Sequence, residues 1–81
     1  MGKEQDWRDR AREIYRAALA EMQEKWSGPQ KGEASFLKEE LQEALLDLKQ
    51  AVIDDRKEDA DLYGDEVNFN LAELRRLLGN S

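Results

Sequence analysis

An 81-residue chain with no histidine, cysteine or threonine, and with 40% of its residues charged, lacks most of the side chains that serve as nucleophiles, neutral-pH general bases and transition-metal ligands. Its size allows one domain, residues 1–81, with a small core burying about 63% of the unfolded chain's surface. No disulfide or zinc staple can support that core, so stability must come from well-patterned helices, a partner or self-association.

The net charge is −6, and all the excess acid lies in residues 31–81. That balance opposes direct nucleic-acid binding, which needs a basic face to displace counterions. Residues 1–6 are polar and no apolar run follows them, so the expectation is a soluble, cytoplasmic chain without signal peptide or membrane contact.

The first predicted helix covers residues 7–26. Trp7, Ala11, Ile14, Tyr15, Ala18, Leu19, Met22 and Trp26 recur at steps of three and four, one apolar stripe on a helix. Asp6 is suited to cap it, and Ser27-Gly28-Pro29 to end it.

A short polar linker, residues 30–34, precedes a second predicted helix over about residues 36–56, capped by Ser35. Its stripe is Leu37, Leu41, Ala44, Leu45, Leu48, Ala51 and Val52. So short a connection makes the two helices antiparallel neighbours. Past Ile53 the same stripe falls on Asp55 and Asp59, which cannot line a core unpaired, so the core should end near Val52 and Ile53.

The third predicted element is a short helix over residues 71–78, stopped by Gly79. Asn70-Leu71-Ala72-Glu73 reads as a capping box and Phe69 with Leu74 as a hydrophobic staple, with residues 65–69 as an extended lead-in. The alternative is a helix from Asp65, which sets Phe69 opposite Val67, Leu71, Leu74 and Leu78. The fold class is therefore all-α: an antiparallel helical hairpin with a short third helix across it, as a three-helix bundle or half of a dimeric one.

Arg8, Arg12 and Arg16, four apart, form one row beside the first stripe, and Glu40, Glu43, Asp47 and Asp54 form an acidic row beside the second. The rows look complementary. Either they meet within the hairpin or form exposed surface pairs, or the arginines stay free to fork onto a second protein. Trp7 and Trp26, at opposite ends of the first helix, are core closers or interface anchors.

Residues 54–66 concentrate the carboxylates Asp54, Asp55, Glu58, Asp59, Asp61, Asp65 and Glu66. Such a run is a solvated face or an imitation of nucleic-acid phosphates. Asp59, Asp61 and Gly64 also resemble the opening of a calcium-binding EF-hand loop, but Tyr63 and Asn70 stand where further ligands belong, so no metal is expected.

Catalysis has little support. Ser27, Ser35 and Ser81 have no histidine to activate them, and no cofactor motif is present. The expected function is a non-catalytic adaptor or regulator presenting a helical face to a protein partner. Its contacts would be Trp7, Arg8, Arg12, Arg16 and Trp26, with homodimerisation an option. The alternative is an acidic inhibitor of a nucleic-acid-binding protein, of the kind phages use against host defence, acting through the acidic run.

Overall fold

The computed structural model describes residues 6–78. It contains three α-helices, α1 (Asp6–Lys25), α2 (Gly32–Ile53) and α3 (Lys57–Leu78), and no strand among the described residues. The all-α three-helix architecture is the one expected, but both ends of the second helix and the start of the third differ from the sequence reading.

Helix α1 follows its stripe. The Trp26 N–H donates to the Met22 carbonyl at 2.9 Å and closes the last turn. The loop beyond is held by Lys38 and Gln30, whose side chains donate to the Gly28 carbonyl at 3.0 and 3.1 Å. Capping by the Asp6 side chain and the stop at Gly79 lie outside what the structure describes.

Helix α2 starts four residues before the predicted position. Ser35 is inside its first turn rather than at its cap, and extended Lys31 occupies the N-cap without a side-chain cap bond. It also ends earlier, at Ile53. Asp55 stands in the left-handed region at φ 63°. The Arg56 N–H donates to the Ala51 carbonyl at 2.9 Å and the Asp55 N–H to the Val52 carbonyl at 3.2 Å, the paired bonds of a Schellman stop.

The largest correction concerns α3, which is continuous from Lys57 rather than a short helix at residues 71–78. The predicted extended lead-in, the Asn70 cap and the Phe69–Leu74 staple do not form. A stripe that restarts at Ala60 and continues through Gly64, Val67, Leu71 and Leu74 is buried, so burial of a full-length apolar face outweighs the local capping signal. Glu58 and Asp59 occupy the first turn, and Arg75 and Arg76 the last. Each charge thus opposes the partial charge of its helix end.

Leu41, Leu48, Val67 and Leu74 are the largest fully enclosed side chains, and all belong to α2 or α3. Complete burial of each is worth about 1.5–3 kcal/mol. The α2–α3 seam is therefore the centre of the core, and the α1–α2 hairpin is the thinnest of the three contacts. Chain direction follows from contacts at the ends. Arg8 of α1 pairs with Asp55 just past α2, and Glu21 of α1 pairs with Arg75 of α3. So α1 is antiparallel to α2 and parallel to α3.

Gly64 lets α1 approach α3. A Cβ there would lie 3.3 Å from Ile14 Cδ1. No described helix is long and apolar enough to cross a membrane.

Candidate protein-docking groove

Between α1 and α2, the two helices that touch least, runs an open groove of about 580 Å³. Its walls follow from residue size. The buried α1 position Ala11 is small, so α1 does not fill the space above Leu48 and Val52. Ala11, Leu48 and Val52 form the floor, Tyr15 and Leu19 are half-buried, and Ile53 stands exposed on the far wall. Leu46, seven residues before Ile53 and so on nearly the same face of α2, is also exposed.

Among the described residues, the groove's charged lining is entirely cationic: Arg8, Arg12 and Arg16 from α1, and Lys49 from α2. This stands out on a chain of net charge −6. Arg8 is partly committed, its Nη2 lying 2.7 Å from Asp55 Oδ1 and its guanidinium 5.2 Å from the Trp7 ring centroid. Arg12 has a loose contact with Asp9 at 3.8 Å. Arg16 and Lys49 have no ion-pair partner among the described residues.

The predicted complementarity of the two charge rows within the hairpin is therefore corrected. Glu40 lies on the α3 side of α2, lining a different depression with Leu62 and Phe69. Asp54 pairs with Arg56 at 3.5 Å, and no ion pair joins Glu40, Glu43 or Asp47 to the arginine row. The flank of α2 that faces α1 carries Lys38, Gln42, Lys49 and Ile53 instead.

The two tryptophans separate. Trp26 is 4% exposed and belongs to the core, out of reach of a partner. Trp7 is half-buried and lines a cleft between α1 and α3 with Arg10, Ile14 and Gly64, away from the groove.

Much of the acidic run is internally compensated. Arg56 meets Asp59 at 3.0 Å as well as Asp54, Lys57 meets Asp61 at 3.2 Å, and Arg8 holds Asp55. Glu58, Asp65 and Glu66 remain without such partners among the described residues. Asp59, Asp61 and Gly64 lie in the regular turns of α3, a geometry that does not wrap a calcium ion. Among the described residues no cluster of three or more potential metal ligands occurs.

Sequence reasoning found the arginine row but missed Tyr15, Leu19, Lys49 and Ile53 as its companions. The available signal was the spacing of Lys49 and Ile53, a lysine and an isoleucine four apart beyond the edge of the buried stripe. Comparison with known proteins adds nothing to the geometry: no family model, curated protein or solved structure matches the chain.

Proposed function

We propose that the protein is a non-catalytic interaction module whose α1–α2 groove receives an acidic amphipathic helix from a protein partner. The observation that carries this reading is the apolar trough lined, among the described residues, by four cations and no carboxylate on an otherwise acidic chain. A helix laid in such a trough buries its apolar stripe against Leu48, Val52 and Tyr15 while its acidic flanks meet the cations. It would also complete a fourth position beside three existing helices.

The groove's length sets the size of the occupant. Arg8 and Leu19 are eleven residues apart on one helix, about 16 Å, which matches about three turns of a docked helix. Arg12 and Arg16 offer guanidinium forks that suit carboxylates, and such contacts fix register and accelerate encounter.

The acidic run supports inhibition of a nucleic-acid-binding protein less well. Asp54, Asp55, Asp59 and Asp61 already have cationic neighbours, which reduces the field such mimicry needs.

The test is calorimetric titration with a synthetic acidic amphipathic helix of about four turns, its apolar residues spaced to line one face. Binding that weakens with salt, and falls at least tenfold in the R12E/R16E variant, supports the reading. Equal binding of a version with lysine in place of every glutamate contradicts it.

A further inference from the structure

A second exposed apolar strip lies on the other side of α2. Leu62 and Phe69 of α3 are 53% and 63% exposed, and their spacing of seven puts them on nearly one face of the helix. With Glu40, Asp65, Glu66 and Asn70 they line a shallow depression of about 430 Å³. Among the described residues its charged lining is all carboxylate, and none of the three has an ion-pair partner there.

One molecule thus displays two apolar strips of opposite charge. The groove shows cations between α1 and α2, and the strip shows carboxylates between α2 and α3. The strip has the chemistry required of the groove's occupant: apolar side chains about 10 Å apart on a helix, with acids between them. Because the two surfaces look in different directions, a molecule cannot close them on itself.

We infer that the outer strip of α3 in one copy docks into the α1–α2 groove of a second copy, Leu62 and Phe69 on its floor and Asp65 and Glu66 against Arg12 and Arg16. This rests on the reading of that groove as a helix-docking site. Symmetric pairings are disfavoured, since groove against groove apposes four cations with four, and strip against strip apposes carboxylates. The strip and the groove look in different directions, so two copies cannot fill both at once, and the contact is head-to-tail and does not close at two subunits. Self-association and partner binding use the same groove, so the partner's helix releases the chain from its own copies.

Sedimentation velocity from micromolar to about 1 mM, the range suited to a small interface, tests this with two variants. R12E/R16E spoils the groove and keeps the strip. L62E/F69E spoils the strip at exposed helical positions and keeps the groove.

The wild-type average mass should rise with concentration past twice 9.4 kDa. Each variant alone should stay monomeric, and an equimolar mixture should form a heterodimer and grow no further. That recovery also shows that both variants are folded. The acidic helix peptide should return the wild-type chain to monomers.

A wild-type chain that stays monomeric while binding the peptide overturns the self-association and leaves the docking reading standing. Wild-type association that L62E/F69E does not reduce, or a mixture that does not recover, overturns it as well. Failure of the peptide to bind, with the heterodimer intact, contradicts the external-partner reading instead.

Discussion

Arg75 near the end of α3 forks onto the Glu21 carboxylate of α1, with Nε 2.8 Å from Oε2 and Nη2 2.7 Å from Oε1. Lys25 adds a third donor at 3.3 Å. The pair ties together the C-terminal ends of two parallel helices. It stands apart from most ion pairs on this surface because the Glu21 side chain is only 15% exposed.

The hydrogen bonds from Arg75 hold the Glu21 carboxyl below its ordinary value of 4.5, and Lys25 adds to the effect, against the opposing influence of burial. A lowered native pKa contributes stability above the unfolded value, and that contribution is lost as pH falls through the native one. The E21Q variant should be less stable than wild type at pH 7 by about 1 kcal/mol, a figure discounted for the exposure of Arg75. The difference should shrink as pH falls below 4.5. Urea denaturation at pH 7 and pH 3 measures it, and a gap that widens in acid contradicts the assignment.

Asp55 makes a different kind of prediction, because its backbone sits at φ 63° where a Cβ is disfavoured. Glycine there relieves that strain but loses the exposed contact with Arg8, so D55G should be more stable by about 0.5 kcal/mol. D55A keeps the Cβ and loses the contact, and should be less stable than wild type. Thermal melts that rank alanine above glycine would show that the left-handed stop does not limit stability.

Trp26 and Trp7 should report contrasting surroundings. In W7F the remaining Trp26 should emit at short wavelength and resist acrylamide, since it is 4% exposed. In W26F the half-buried Trp7 should be quenched more readily. Truncation W26A should cost about 3–5 kcal/mol through the cavity it opens. Equal quenching of the two rings would place Trp26 outside the core.

The stripes of α1 and α2 were legible because each repeats at steps of three and four without interruption. α3 was misread when the phase of α2 was carried across the turn onto Asp55 and Asp59, although a new phase begins at Ala60. The acids at residues 58 and 59 look like a solvated break in sequence, yet at the start of a helix they face its positive end.

The candidate site was half legible. The row of Arg8, Arg12 and Arg16 follows from spacing alone. Which flank of α2 it faces depends on how three helices are arranged around their axis, and a heptad-like pattern does not encode that. The structure puts Lys49 and Ile53 opposite the arginines and turns Glu40 toward α3.

The proposed docking of an acidic helix in the α1–α2 groove is read residue by residue by amide chemical-shift mapping with the acidic amphipathic peptide. Shifts should concentrate at Arg12, Tyr15, Arg16, Leu19, Lys49 and Ile53, and disappear in R12E/R16E. Shifts centred on the α1–α3 cleft around Trp7, or none at peptide concentrations up to about 1 mM, would contradict it.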